Sequence, residues 1–277
     1  PPSVAMVVYG LVTETSIGQL LVAGVVPGLV LGGLLSIVIL IWVRLNPSLA
    51  PETQRVPLDV RLRSLLRVWP SILLILSVLA LLYSGAATPS EVGAFGAFLA
   101  AVLAACLRRL NGAKALEAIL ETIRSSTMIF MVLIGATIFG YFMTLSQVPQ
   151  RLVAAVTAMD LNPWVVIVAN VVGYFIISMF MDEIPLLLLT LPLTFPLVTS
   201  LGFDPVWYGV VCMMMVAMGL VFPPVGMIAF VVAAAGKVDL VRVYQGTSVL
   251  ILAIIATLVL LMLYPELALW LPSTMRG

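Results

Sequence analysis

Two prolines open the chain as PPSVAMVVYG. Two more recur in GLVFPPVGMIAFVV, where Pro223 and Pro224 lie within 32 uncharged residues at 205–236. As one helix that run would reach about 48 Å, well past a bilayer core of roughly 30 Å. Proline has no N–H, and its ring crowds the carbonyl four residues back. Pro223 and Pro224 therefore release the carbonyls of Gly219 and Leu220. The helix is expected to stop there and to restart at the prolines, whose fixed φ suits a first helical position. The carboxyl end at 219–222 then offers carbonyls to a cation, those of Gly219 and Leu220 foremost. The amino end at Val225, Gly226 and Met227 offers free N–H groups and a positive pole to an anion. Half-helix ends paired in this way build substrate and ion sites in secondary transporters. A plain proline kink made for packing is the competing reading.

A second polar group abuts an apolar run. In DEIPLLLLTLPLTFPLVTSLGFD, Asp182 and Glu183 precede prolines at 185, 192 and 196 and threonines at 190, 194 and 199. A carboxylate at mid-bilayer costs about 2.5–3.5 kcal/mol on insertion scales. The pair therefore marks an interface, the reading favoured for Glu183, or a functional cavity, for which Asp182 is the better candidate. The run could bend back near Thr190 and Thr194 as a re-entrant hairpin, with hydroxyls standing in for lost backbone bonds. It could also cross as one kinked helix, and periodicity does not separate the two. Glu91, in TPSEVG, reads as a carboxylate in a first helical turn capped by Thr88 or Ser90.

The elements that must position these groups follow from composition. The 277 residues are 63% hydrophobic and 9% charged, where soluble domains carry roughly 25% charged residues. Uncharged stretches at 15–43, 68–90, 125–150, 161–181, 184–203, 205–236 and 243–265 are mostly long enough to span a bilayer. The fold class is an all-α polytopic membrane protein in a lipid bilayer. A net charge of +1 argues against a nucleic-acid partner. Histidine is absent, which removes His-based triads, metal ligands and proton relays. Cys106 and Cys212 both sit in apolar runs and read as packing residues.

The proline pairs recur at a spacing of 222 residues, at which Gly24 also faces Gly246. Basic residues cluster at 44–67 and 108–124, but their bias does not fix the orientation. If 69–84 and 90–107 each cross, the two proline segments run parallel. No Met or charged leader precedes Pro1, and a longer parent protein is expected.

Several stretches together resemble one family. They are SIGQLLVAGVVPGLVLGGLL, SGAATPSEVGAFGAF, MFMDEIPLLLLTLPLTFPLVTSLGFDPVWYGVV and GLVFPPVGMIAFVV. The likeness is to the large membrane subunit of tripartite ATP-independent periplasmic (TRAP) transporters, and it runs from Pro1 to about Pro272. In that family a PPS motif closes the first of two inverted repeats and a TPPVG motif the second. The resemblance implies an elevator-type secondary transporter of the bacterial inner membrane, with no catalytic residue. It implies a sodium gradient as driving force, with Na+ as coupling ion and no other cofactor. It also implies organic acids such as C4-dicarboxylates as cargo, delivered by a periplasmic binding protein, and a small membrane subunit as companion.

On the family pattern, 1–44 is the end of repeat one, with Pro1, Pro2 and Ser3 at its site. Residues 45–67, with Arg55, Arg61, Arg63 and Arg67, form an amphipathic interfacial connector. Repeat two fills 68–277: spans at 69–84, 90–107, 125–146 and 163–181, a re-entrant hairpin at 182–202, a broken helix at 204–236 and a final span at 245–264. Its site residues are Asp182, Thr190, Thr194, Gly219, Pro223, Pro224, Val225 and Gly226. Three departures bear on sodium. The motif threonine is Phe222, the stretch before Gly219 is MMMVAM, and the position after Met227 is Ile228. They leave any sodium site more dependent on backbone carbonyls and allow a cargo less polar than a dicarboxylate. Two other readings compete, a non-transporting scaffold and an intramembrane enzyme, the latter with Asp182 as its one candidate aspartate.

Overall fold

The computed structural model describes residues 3–50 and 57–275. Pro1, Pro2 and the part of the expected connector at 51–56 lie outside the described residues, as do the side chains of Arg63 and Arg67. Among the described residues the chain forms thirteen α-helices and no strand. In order these are α1 (Val4–Thr13), α2 (Ile17–Ala23), α3 (Val25–Leu45), α4 (Leu58–Ser84), α5 (Pro89–Cys106), α6 (Gly112–Ser146) and α7 (Val148–Ala158). Then come α8 (Pro163–Ser178), α9 (Glu183–Ser200), α10 (Pro205–Val221), α11 (Met227–Gly236), α12 (Leu240–Leu263) and α13 (Glu266–Ser273). Among the described residues five helical segments are long and apolar enough to cross a membrane: Ile17–Leu45, α5, α6, α9 and α12. The chain divides into a unit of residues 1–39 and 129–273 and a unit of 40–128 and 274–277.

The smaller unit is built on α4 and α5. Gly85, with φ of 65°, ends α4, and Thr88 opens α5. The Thr88 N–H donates to Glu91 Oε2 at 2.8 Å and the Glu91 N–H donates to Thr88 Oγ1 at 3.4 Å. This is the reciprocal cap expected of Thr88 and Glu91. Two boundaries differ from those expected. The connector and the span at 69–84 are one helix from Leu58 onward, and α6 joins the basic stretch near 114–124 to the span at 125–146. Neither junction carries a glycine or a proline–turn pair that would end a helix. Pro70 lies inside α4 and costs that helix one bond.

The larger unit carries the proline-bearing segments. Its core is largely aliphatic, with Tyr9, Tyr174, Trp207 and Tyr208 as its buried aromatic residues. Trp207 is buried, donates its indole N–H to the Leu261 carbonyl at 2.9 Å, and stacks on Phe203 at 5.5 Å. Trp164 meets both rings edge-on. Gly209 of α10 lets α2 and α1 come close, because a Cβ there would lie 2.7 Å from Leu20 Cδ2 and 3.0 Å from Tyr9 Cε1.

Of the two readings open for this run the single helix is present: α9 runs unbroken from Glu183 to Ser200 with Pro192 and Pro196 inside, and the hairpin that the family pattern put at 182–202 does not fold back there. The correction has a physical reason. Each internal proline cancels one ladder bond, while Thr190 and Thr194 add hydroxyl bonds to the Leu186 and Thr190 carbonyls. The fold-back lies one helix earlier, at 179–182 between α8 and α9. Tyr174 of α8 reaches Thr190 and Thr194 of α9, a spacing centred on residues 182–184, so the two helices run antiparallel. With 16 residues, α8 is about 24 Å long and too short to cross a 30 Å core on its own.

The stretches that follow the two proline pairs form the same local structure, in a register one residue from that of the sequence match. Helices α1 and α11 are both ten residues long. Each ends at a left-handed residue, Glu14 (φ 55°) or Lys237 (φ 50°). Each is followed by a cap, Ser16 or Asp239, that opens the next helix at Ile17 or Leu240. These pairs all stand 223 apart, so one residue more separates Pro224 from α11 than separates Pro2 from α1 in the sequence. In this register Gly24 pairs with Thr247 rather than with Gly246.

Candidate functional site

The expected break in the second segment is present. Helix α10 ends at Val221, residues 222–226 are not helical, and α11 begins at Met227. The restart falls three residues later than expected. A proline disfavours helical backbone in the residue before it, so Pro224 holds Pro223 out of a helix. Gly226, with φ of 51°, then turns the chain into α11. The free N–H groups belong to Met227 and Ile228, with no side-chain cap upon them, while the Ala229 N–H returns to the Gly226 carbonyl at 2.8 Å.

The turn of the α8–α9 hairpin lies against this break. Ser178, fully buried at the end of α8, sits on the face of Gly219. A Cβ on Gly219 would lie 2.6 Å from Ser178 Cβ and 2.7 Å from its backbone carbonyl carbon. The Ser178 hydroxyl donates to the Phe175 carbonyl at 2.8 Å and stands 3.3 Å from the Met215 carbonyl. Phe175 and Phe222 bring their rings to 5.3 Å, so the wall between hairpin and break is apolar. Asp182 caps α9, accepting from the Glu183 N–H at 2.8 Å.

Helix α1 points its amino end at the same place. Tyr9 donates to the Pro205 carbonyl at 2.8 Å, while Met6 shares a cavity of about 150 Å³ with Met213 and Met214. Moving toward the start of α1 therefore moves toward the end of α10, so the two run antiparallel. Against α9 the order is parallel, with Val8 packed on Ile184 and Leu188 and Tyr9 facing Phe195. Ser3, which caps α1 through the Met6 N–H at 3.4 Å, thus stands at the level of the hairpin turn and of Gly219. Three amino ends (of α1, α9 and α11) and two carboxyl ends (of α8 and α10) share one locus. Ser3 and Asp182 already cap the first two amino ends; that of α11 carries none.

Ser3, Asp182, Gly219, Leu220, Pro223, Pro224, Val225 and Gly226 all belong to this locus. Thr190 and Thr194 do not. Eight and twelve residues into α9, they lie about 12 Å or more from the turn. The Thr190 hydroxyl lies 2.7 Å from Tyr174 Oη and that of Thr194 lies 3.0 Å from it. Tyr208 donates to Asn170 Oδ1 at 2.7 Å nearby. These hydroxyls bind the hairpin's arms to each other and bind α8 to α10. Tyr174→Phe keeps the ring and removes the shared hydroxyl. It is expected to cost about 1 kcal/mol, read as a lower thermal midpoint for the purified protein.

Sequence reasoning missed Ser178, Asn170, Tyr174, Tyr208, Tyr244 and Thr247. Ser178 and Asn170 were open to it, since a polar side chain inside an apolar run is itself a signal. For a cation, the donors are modest. The Gly219 carbonyl accepts the Phe222 N–H at 3.1 Å. The Leu220 carbonyl faces a proline, Pro224, that has no N–H to return.

A helical protein with several membrane-length apolar helices, whose interrupted helix meets a hairpin turn, has the build of a membrane transport subunit. The chain matches the family model of the tripartite ATP-independent periplasmic transporter, DctM component, over residues 1–267, and it belongs to that family. It is 34% identical to a C4-dicarboxylate TRAP transporter large permease protein of Pseudomonas aeruginosa over 99% of this chain and 64% of the relative. It is 32% identical to an ectoine/5-hydroxyectoine TRAP transporter large permease protein of Ruegeria pomeroyi, over 98% and 63%. With a sialic acid TRAP transporter large permease protein of Vibrio cholerae the figures are 28%, 100% and 65%. The chain thus spans just under two-thirds of these relatives' length. These relatives are transporter permeases, and the intramembrane-enzyme reading is set aside.

Proposed function

We propose that this chain carries the second-repeat half of the substrate site in a TRAP large permease that imports organic acids into bacteria across the inner membrane. The sodium gradient drives uptake, a periplasmic binding protein delivers the cargo, and a small membrane subunit accompanies the permease. The hairpin α8–α9, the break and α1 move together as the carrying body of an elevator. The observation that carries this reading is the uncapped amino end of α11, set at the break beside the hairpin turn, where it offers N–H groups to a carboxylate. Phe175 and Phe222 favour an acid with an apolar body over a compact dicarboxylate.

The test is uptake into proteoliposomes by the whole permease with its partner subunit and binding protein, offered labelled mono- and dicarboxylates. Uptake is expected to require the binding protein and an inward sodium gradient. Equal uptake with sodium balanced across the membrane would remove the coupling, and no uptake of any acid would remove the function.

A further inference from the structure

The open backbone of the break is held from one side by α12. The Tyr244 hydroxyl donates to the Val225 carbonyl at 2.8 Å and stands 3.5 Å from that of Pro224. Its ring edge, at Cε1, would lie 3.2 Å from a Cβ on Gly226. One turn along, the Thr247 hydroxyl lies 3.3 Å from the Val221 carbonyl and 3.2 Å from that of Tyr244. A helix carbonyl released by a break must find a donor or a cation. Here hydroxyl donors on a third helix reach carbonyls at both ends of the interruption. The Gly219 carbonyl is served by the Phe222 N–H. The side chains at the break, Phe222, Val225, Met227 and Ile228, bring no oxygen.

The first segment differs. In the register of 223, Tyr244 corresponds to Leu21 and Thr247 to Gly24. Helix α2 therefore has no hydroxyl where α12 has two.

We propose that Tyr244 and Thr247 are positioning residues that take the place of a cation at the second-repeat break, so that this break binds no coupling ion. Resting on the transporter reading above, the proposal assigns any sodium that drives uptake to sites outside this break. The phenol proton occupies a lone pair of the Val225 carbonyl and the Thr247 proton lies between the Val221 and Tyr244 carbonyls, which leaves a cation fewer free carbonyls at the break, that of Leu220 among them. The break keeps its shape, and the amino end of α11 its aim, with or without sodium.

The experiment is hydrogen–deuterium exchange of residues 221–229 in the reconstituted whole permease, with sodium or with potassium as the only added cation. In the native protein, exchange across the break is expected to be the same in both. In Tyr244→Phe, which keeps the ring on Gly226 and loses the donor, sodium is expected to slow exchange roughly threefold or more. Its uptake should also depend more steeply on sodium than that of the native protein. Thr247→Val, a milder change, should shift both readouts the same way, and Thr247→Ser should restore them. Sodium-dependent protection of the native break overturns the proposal, as does Tyr244→Phe exchange that ignores sodium. Because exchange needs no substrate, a permease that transports nothing fails the function above and still decides this point.

Discussion

Gly219→Ala is expected to abolish uptake by the assembled permease. The added methyl would lie 2.6 Å from Ser178 Cβ and 2.7 Å from the Ser178 carbonyl carbon. The latter is backbone in the last turn of α8, which cannot rotate away. Overfilling a packed site costs about 1–3 kcal/mol, and a contact against backbone belongs at the upper end. Because the methyl separates the hairpin turn from the break, the loss falls on the site as well as on stability. Uptake in proteoliposomes and the thermal midpoint together check this. Ser178→Gly in the same chain removes the side-chain collision but not the backbone one, and should recover only part of the loss. Ala217→Ser, exposed two residues away on the same helix, should behave as the native protein. Native uptake by Gly219→Ala would mean that hairpin and break need not touch.

Gly226→Ala is expected to damage the second half of the same locus by two separable routes. The residue has φ of 51°, and a Cβ there would lie 2.8 Å from the Phe222 carbonyl oxygen and 3.2 Å from Tyr244 Cε1. Left-handed backbone costs an ordinary residue about 1–2 kcal/mol, and the collision adds to it. Asparagine tolerates left-handed backbone better than alanine but carries the same Cβ. If Gly226→Asn is as damaging as Gly226→Ala, the collision dominates; if it is milder, the backbone does. The amino end of α11 shifts in either case, so the half-saturating substrate concentration should rise along with the fall in maximal uptake.

The proline pair and the surrounding glycines made the break legible, because a missing N–H and a left-handed turn are properties of single residues. Its restart falls later than the prolines suggest, because Pro224 disfavours helical backbone in the residue before it. The hairpin was misplaced for a related reason. Pro192 and Pro196 were read as breakers, yet a helix loses only the bonds those rings cancel, and Thr190 and Thr194 offset part of that loss. The turn at 179–182 carries neither proline nor glycine, and its one local signal, Asp182 as a cap for α9, reads equally well as a carboxylate at an interface or cavity. The contacts of Ser178 with Gly219 and of Tyr244 with Val225 join residues far apart in sequence. Spacing says nothing about such pairs; only the folded packing brings them together.

The two sulfhydryls differ in access: Cys212 is buried in α10, whereas Cys106, the last residue of α5, is exposed. A maleimide dye would therefore label the native chain at one place, in the smaller unit, and leave the locus around Gly219 untouched. A second dye on the proposed binding protein would then report its docking as energy transfer, without engineering a single codon of this chain.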